Sequence, residues 1–263
     1  SLSPRPSPPP PPFITSTLQI ASNRQLGLSA SETMRAAQAL YEAGMISYMR
    51  TDNANMGEAG LKAAREEASR RFGPSKVRAL PSGSAPSKNK NKENAQEAHE
   101  AIRPSVLADA AGDGSGFVGP EDLPAGTGKA ERALYGLIYG RAVGSVMIDK
   151  VTDGTAVLVE ARAEDGTRAT FRCSGTVVKE PGWTAASAPS GSSAAVLPPM
   201  KVGEGLTCSR LEAKGHETQP PPRFTEASFV KELESLGVGR PSTYASVLQT
   251  LRSRAYITSG GEE

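Results

Sequence analysis

The segment ISYMR at residues 46–50 places a tyrosine and an arginine two positions apart. In an extended chain such side chains project to the same side. A phenol has a pKa of about 10, so it needs a nearby cation or base to act as a nucleophile. A guanidinium supplies that charge and binds phosphate through two N–H groups. Tyr48 and Arg50 therefore predict attack on a phosphodiester. The alternative is a packing tyrosine beside a solvated arginine.

A second group of ionisable residues surrounds His99, which lies between Glu97 and Glu100. Carboxylates beside an imidazole can tune it for proton transfer or phosphate binding. The alternative is a histidine on the surface or at a helix cap. The basic loop before it contains Lys88, Lys90 and Lys92. We interpret that loop as solvated, with phosphate contact as the minority interpretation.

Residues 237–244 separate two helical patterns in the C-terminal part of the chain. The proportions fit either a helix-turn-helix or an αα-hairpin within a core. Arg240 precedes hydroxyl-bearing Ser242 and Thr243 at the start of the second helix, where free N–H groups can bind a backbone phosphate. No Gly-rich P-loop pattern occurs, so the sequence does not support ATP use.

Composition excludes several classes of protein. The 263 residues include two cysteines and two histidines, too few for a disulfide framework or a four-ligand zinc site. No apolar run reaches the roughly 18 residues of a membrane span, and no apolar signal segment argues for secretion. The net charge of +2 does not by itself indicate a nucleic-acid binder. Because the chain does not begin with Met, we expect a fragment.

The order of predicted elements is helices, strands and helices, which is typical of an α+β chain. Ser29 and Glu32 form a capping-box pattern, and Gly44 suits a helix end. The predicted helices cover residues 30–43, 58–72, 130–147, 226–236 and 243–254, with Thr225 and Ser242 as the last two caps. The predicted strands cover residues 45–49, 155–163, 169–173 and 206–213, with a hairpin turn at Asp165-Gly166.

Five short sequences, in four separated regions, together carry a family resemblance. They are PFITSTLQ at 12–19, ISYMRTD at 46–52, EAHEAIRP at 97–104, PPRFTEAS at 221–228 and GRPSTYAS at 239–246. In this order and spacing the chain resembles type IA DNA topoisomerases, in particular bacterial topoisomerase I. The resemblance covers about residues 12 to 257.

The resemblance implies a role for each matching residue. Tyr48 corresponds to the tyrosine that attacks single-stranded DNA, forms a 5′-phosphotyrosine and releases a 3′-hydroxyl. Arg50 corresponds to the residue that holds the scissile phosphate, and His99 to a phosphate or proton-relay partner near it. Strand passage and religation then relax negative supercoils without ATP. The expected DNA contacts are Arg50, Arg103, Arg240, Ser242 and Thr243.

The resemblance also implies a division of the chain. It implies a helical tyrosine-bearing domain at 13–147, part of a β-rich arch at 148–213 and the start of a helical single-strand-binding domain at 214–263. The proline-rich composition of residues 1–12 separately predicts an extended, disordered tail. The family's Mg²⁺ is held by a Toprim domain with an Asp-x-Asp-x-Glu set. No two aspartates are spaced two apart here, so we expect no metal ligands in this chain and a Toprim partner, upstream or separate.

Three functions follow from these residues. The first is a topoisomerase core that is active when a Toprim domain is supplied, and the second is a non-catalytic single-strand DNA-binding remnant. The third is a duplex-reading regulator whose second helix would carry Gln249, Arg252 and Arg254. It leaves residues 46–52, the tyrosine segment, unexplained. DNA is the expected partner and a membrane is not. The compartment stays open between bacterial cytoplasm or nucleoid and a eukaryotic organelle or nucleus.

Overall fold

The computed structural model describes residues 2–79, 100–108, 115–187 and 197–258. Within these ranges the chain has six α-helices and five strands, which confirms the predicted α+β class. The helices are α1 (Thr15–Leu26), α2 (Ala30–Glu42), α3 (Glu58–Phe72), α4 (Lys129–Gly144), α5 (Glu226–Ser235) and α6 (Tyr244–Ser253). The strands are β1 (Leu2–Ser7), β2 (Val106–Ala108), β3 (Ser115–Phe117), β4 (Lys150–Arg162) and β5 (Arg168–Glu180).

The described residues form two compact units. The sheet unit contains residues 2–6, 151–180 and 197–223, and the helical unit contains residues 7–79, 100–108, 115–150, 181–187 and 224–258. The helical unit therefore includes the C-terminal pair α5–α6 together with α1 to α4. No helix in the described ranges has the length and apolar character that crossing a bilayer requires.

The main core of the helical unit is formed by α1 to α4 and the chain between α2 and α3. Its largest fully buried side chains include Phe13, Leu18, Leu40, Ile46, Met49 and Tyr135. Two of these, Ile46 and Met49, come from the tyrosine segment and not from a helix or strand. The core therefore fixes the backbone that carries Tyr48.

Helix α2 begins and ends as the sequence predicts. The Ser29 backbone N–H donates to Glu32 Oε2 at 2.8 Å, and the Glu32 N–H donates to Ser29 Oγ at 3.2 Å, which completes the capping box. Gly44 follows the helix with φ of 70°, a left-handed conformation that glycine adopts without strain. This turn sets the direction in which the chain leaves α2 towards Tyr48.

Helix α4 packs closely against the 3₁₀ turn Gly182–Ala186. A Cβ built on Gly140 would lie 2.5 Å from the Ala186 carbonyl oxygen, and one on Gly144 would lie 3.1 Å from the Trp183 carbonyl oxygen. A Cβ on Gly136 meets nothing within 4 Å. Glycine has a low helix propensity, but at Gly140 and Gly144 it allows the close approach of this turn to the helix backbone.

A charged network joins α3 to α4. The buried Glu67 carboxylate accepts hydrogen bonds from Arg70, Arg71 and Tyr139. Burial alone would raise the pKa of Glu67, but these three donors together hold it below its ordinary value. The ionised carboxylate therefore stabilises the folded state.

The sheet unit is built on the β4–β5 hairpin, in which Val151 to Arg162 pair antiparallel with Glu180 to Arg168. Asp165 Oδ1 accepts from the Thr167 N–H at 2.8 Å, and Gly166 has φ of 84°. These contacts confirm the predicted turn. Both strands extend further than the alternation of β-branched residues indicated.

Residues 2–7 correct the prediction of a disordered tail, because they form β1 beside β4 in the order β1-β4-β5. Proline lacks an N–H donor but accepts an extended backbone, and it occurs in sheets at outer strands. Pro4 and Pro6 lie in such an outer strand. The composition correctly predicted an extended chain, but it did not predict that this chain pairs with β4.

Two predicted strands and one cap are also wrong. Residues 206–213 have no regular structure and are exposed. Residues 45–49 form no strand, because the chain bends at Met45, Ser47 and Met49 and only Ile46 makes a bridge, to Pro104. Helix α6 begins after Thr243, not after Ser242, and its predecessor α5 begins after Thr225 as predicted. Alternating apolar residues indicate an extended chain without specifying its partner.

The pair α5–α6 has a small apolar cluster of its own. Val230, Leu233, Tyr244 and Leu248 pack with Ala30 at the start of α2. Glu226 adds polar contacts, since it accepts from the Ala30 N–H at 2.7 Å and pairs with Arg252 at 2.5 Å. The pair is therefore docked against α1 and the N-terminal end of α2.

We expect Gly140→Ala to destabilise the helical unit, because the added methyl group would meet the Ala186 carbonyl oxygen. Overpacking of this kind costs about 1–3 kcal/mol. Gly136→Ala is the matched control and should instead stabilise by up to about 1 kcal/mol through helix propensity. Urea unfolding of both variants measures the difference. Equal stability changes would contradict the packing of the turn on α4.

We expect Glu67→Gln to lower the free energy of unfolding by about 1.5–3 kcal/mol at neutral pH, because charge-assisted hydrogen bonds are lost. A depressed folded-state pKa contributes stability above the unfolded pKa of 4.5, and this contribution disappears as the pH falls through the lower folded value. The difference between wild type and variant should therefore shrink in acid. Thermal unfolding from pH 7 to pH 3 measures it, and a constant difference would contradict this assignment.

Candidate active site

The site is centred on the segment between α2 and α3. Ile46, Met49 and Thr51 are buried, whereas Tyr48 is 44% exposed. Arg50 is half-buried. Met49 therefore anchors the segment from below and leaves Tyr48 and Arg50 on its accessible side. The Tyr48 side chain is therefore accessible, while the residues on either side of it are held in the core.

The backbone before Tyr48 is held by residues 101–105. The Ser47 N–H donates to the Arg103 carbonyl at 2.9 Å, and the Ser47 hydroxyl donates to the Ala101 carbonyl at 2.8 Å. Ser47 Oγ also accepts from the Arg103 N–H at 3.0 Å. The two sequence motifs at 46–52 and 97–104 thus meet through Ser47.

The backbone around Arg50 is held by Thr15, the first residue of α1. The Thr15 hydroxyl lies 2.7 Å from the Met49 carbonyl and 3.1 Å from the Thr51 carbonyl, and it accepts from the Thr51 N–H at 2.9 Å. The Thr15 N–H donates to the Thr51 carbonyl at 3.0 Å. Thr15 has no sequence signal of its own, because its partners lie more than 30 residues away.

Arg50 reaches the C-terminal helical pair. Its Nη1 donates to the Ser242 carbonyl at 3.2 Å, which brings together two residues predicted as DNA contacts. Ser242 belongs to the turn before α6, where the Arg240 N–H donates to Thr243 Oγ1 at 2.8 Å. Arg240 and Ser242 are exposed. Arg50 therefore follows Tyr48 by two residues in the sequence, and its guanidinium contacts the exposed turn before α6.

Two carboxylates act on the first residue of α6. Tyr244, the first residue of α6, is buried, and its pKa is raised by burial and by the negative charges of Glu234 and Asp52. Glu234 Oε1 accepts from the Ser16 hydroxyl at 2.7 Å. The raised pKa disfavours the phenolate form of Tyr244, and burial keeps its ring in the apolar cluster of α5–α6. Glu234 and Ser16 gave no sequence signal, since their pairing depends on the docking of α5 on α1.

A second tyrosine contacts the candidate nucleophile. The rings of Tyr41 on α2 and Tyr48 have centroids 5.3 Å apart at an interplanar angle of 65°, an edge-to-face contact. Tyr41 is itself 41% exposed. The two rings form an accessible aromatic surface on which Tyr48 is supported by α2.

Arg103 is placed differently from the other predicted DNA contacts. Its side chain is 14% exposed, its Nε and Nη2 bind Glu100 Oε2 at 2.7 Å, and its Nη1 donates to the Pro104 carbonyl at 3.0 Å. A Cβ on Gly60 would lie 2.5 Å from Arg103 Nε, so the guanidinium packs on α3. This placement favours a structural role that holds residues 101–105 against the tyrosine segment.

His99 and the three lysines at 88, 90 and 92 lie outside the described residues. Their predicted roles stay predictions. Among the described residues, no three His, Cys, Asp or Glu side chains come together as a metal site. Glu100 is bound to Arg103, and Glu234 to Ser16. The described carboxylates therefore do not fit a Mg²⁺ site beside Tyr48.

Comparison with known proteins supplies the family. A family model described as DNA topoisomerase matches residues 3–263. DNA topoisomerase 1 of Synechococcus elongatus is 44% identical over 94% of this chain, and that of Vibrio cholerae is 42% identical over 97%. The chain covers 27% of each of these relatives and so spans about a quarter of their length.

A solved structure agrees with the sequence relatives. Full-length topoisomerase I from Thermotoga maritima superposes with a TM-score of 0.70 at 29% identity, over 98% of this chain and 40% of that one. The family match over nearly the whole chain, the relatives and this fold together decide the assignment. The chain belongs to the type IA DNA topoisomerase family.

Proposed function

We propose that this chain is the catalytic core of a type IA DNA topoisomerase, in which Tyr48 cleaves one DNA strand and forms a 5′-phosphotyrosine. The observation that carries the proposal is the arrangement of exposed Tyr48 beside Arg50, whose guanidinium reaches the exposed turn that contains Ser242. A nucleophile, a cation for the phosphate and a strand-binding turn thus adjoin each other. Because the chain spans about a quarter of its relatives, the proposal concerns the longer protein of which such a core is part.

The chemistry needs no external energy. Tyr48 Oη attacks the phosphorus, the bond from phosphorus to O3′ breaks, the phenolic proton is lost and the released 3′-oxygen is protonated. Arg50 offsets the negative charge that builds on the phosphoryl oxygens in the transition state. The phosphotyrosine preserves the phosphodiester energy, so the 3′-hydroxyl reverses the reaction after strand passage without ATP. Relaxation of negative supercoils is the outcome in the longer protein.

The turn before α6 suits a single-stranded backbone. Arg240 supplies positive charge, and Ser242 and Thr243 supply hydroxyl groups at the start of a ten-residue helix. Helix N-termini present unpaired N–H groups to anions. Single-stranded DNA is therefore the proposed partner, bound along this turn and past Arg50 to Tyr48.

A Toprim domain is the proposed source of the metal. Family members use Mg²⁺ held by that domain, and the described carboxylates of this chain do not form such a site. Mg²⁺ bound there would offset charge on the scissile phosphate. The same observation favours the second candidate, a DNA-holding remnant, for the chain on its own.

The duplex-reading regulator is disfavoured by the placement of its reading residues. Arg252 is paired with Glu226, and Arg254 lies beyond the end of α6. Tyr244 and Leu248 of α6 are buried against α2 and α5. The helix therefore lacks the free basic face that major-groove reading needs.

We expect Tyr48→Phe to abolish the covalent adduct and to leave single-strand binding within about twofold, because only the nucleophilic oxygen is removed. The assay uses single-stranded DNA labelled at the 5′ or the 3′ end, with Mg²⁺ and a separately expressed Toprim domain. A 5′-phosphotyrosine transfers only the 3′-label to the protein band. Tyr256→Phe, at an exposed tyrosine beyond α6, is the matched control.

Two outcomes would contradict this proposal. Adduct that persists in Tyr48→Phe would assign the nucleophile to another residue. Binding without adduct in the wild-type chain, with and without the Toprim domain, would leave the DNA-holding remnant.

We expect Arg50→Ala to lower the rate of adduct formation far more than single-strand affinity. One lost charge-assisted contact costs about 1.5–3 kcal/mol, or about 10- to 150-fold in rate. Arg24→Ala removes an exposed charge from the last turn of α1 and serves as the matched control. Single-turnover cleavage and fluorescence anisotropy measure the two quantities. Equal losses in rate and affinity would place Arg50 in general electrostatics.

A further inference from the structure

Thr15 is a fully buried threonine whose hydroxyl is used three times by one short segment. It lies within hydrogen-bond distance of the Met49 carbonyl and the Thr51 carbonyl, and it accepts from the Thr51 N–H. Its own backbone N–H also donates to Thr51. All four contacts are made to the residues directly before and after Arg50.

These contacts replace a sheet that the segment lacks. The pairing of the tyrosine segment with residues 101–105 ends near Ser47, so the polar backbone groups beyond it need other partners. Met49 and Thr51 are buried, and an unpaired backbone group there would cost free energy. Thr15 satisfies them and at the same time determines the direction in which the Arg50 side chain leaves the backbone.

Ser16, the next residue of α1, contacts the helix that precedes the turn bound by Arg50. Ser16 donates to Glu234 on α5, and the turn after α5 carries the Ser242 carbonyl that accepts from Arg50. The first turn of α1 therefore contacts both elements that Arg50 spans. A shift of Thr15 alone would change the position of Arg50 relative to that turn.

We propose that Thr15 is the positioning residue for Arg50 in DNA cleavage: its hydroxyl holds the backbone on both sides of Arg50 and so places the guanidinium at the scissile phosphate. This inference rests on the proposed function of Arg50. Thr15 itself touches no reacting atom. The proposal therefore requires that the effect of Thr15 on cleavage pass through Arg50, and not through Tyr48 on the other side of Met49.

A double-mutant cycle tests this dependence. Thr15→Val keeps the shape of the side chain and removes the hydroxyl, and Thr15→Ser keeps the hydroxyl. Each Thr15 variant is made in the wild-type background and in the Arg50→Ala background. Adduct formation is then measured with the Toprim domain and Mg²⁺. Misplacement of a reacting group costs up to about 100-fold. We expect Thr15→Val to lower the rate about 10- to 100-fold, Thr15→Ser to restore it to within about threefold, and single-strand affinity to stay within about twofold.

The cycle separates positioning from general stability. In the Arg50→Ala background, Thr15→Val should change the rate by less than about twofold, because coupled sites are not additive. Ser22→Ala is the matched control. Ser22 lies two helical turns after Thr15 on α1, and its buried hydroxyl accepts from Thr33 Oγ1 at 2.9 Å. It should affect thermal stability but not the rate. Equal rate losses from Thr15→Val in both backgrounds, or no loss in either, would overturn the proposal.

A measurement without DNA keeps this inference distinct from the proposed function. The Arg50 Nε–Hε resonance of the isolated chain reports the position of the guanidinium. We expect Thr15→Val to shift and broaden it and Thr15→Ser to keep it, with unfolding temperature recorded for each. If the wild-type chain forms no adduct, the proposed function fails while this signal still decides the role of Thr15. An unchanged resonance in Thr15→Val sinks the positioning role.

Discussion

The hydrogen bonding of one irregular buried segment is the constraint on which the helical unit depends. Residues 45–51 contribute Ile46 and Met49 to the core but belong to no helix or strand. Their backbone groups would be unpaired in an apolar interior, which proteins rarely tolerate. Ser47 with residues 101–105 satisfies the first half, and Thr15 satisfies the second. Tyr48 and Arg50, the proposed nucleophile and its arginine, therefore have separate anchors on one short backbone.

The same first turn of α1 links this segment to the C-terminal helices. Thr15 binds the tyrosine segment and Ser16 binds Glu234, while Glu226 contacts the start of α2. The apolar cluster of α5–α6 also includes residues of α1 and α2, and these polar contacts add to it. The candidate active site thus lies where two helical groups meet. A site of this kind keeps Tyr48 exposed while its backbone stays rigid.

Much of the local structure could be predicted from sequence because its causes are local. The capping box of α2, the glycine after it, the bounds of α3 and the Asp165-Gly166 turn all depend on residues within a few positions. The strand predicted at 206–213 is wrong, and so is the disordered tail at residues 2–7, both for the opposite reason. Whether an extended segment pairs depends on a partner that alternation does not name.

The sequence by itself determined the family, since five motifs in fixed order carry the resemblance and contain the candidate residues Tyr48, Arg50 and Ser242. Only the tertiary structure decided which neighbours serve them. It placed Arg50 against Ser242, turned Arg103 onto Glu100 and α3, and made Thr15 the support of the tyrosine segment. The physical reason is that motif residues are recognisable by type and spacing, whereas hydrogen bonds between segments more than 30 residues apart depend on how the core packs. Chemistry was therefore readable in the chain, and positioning was decided by the fold.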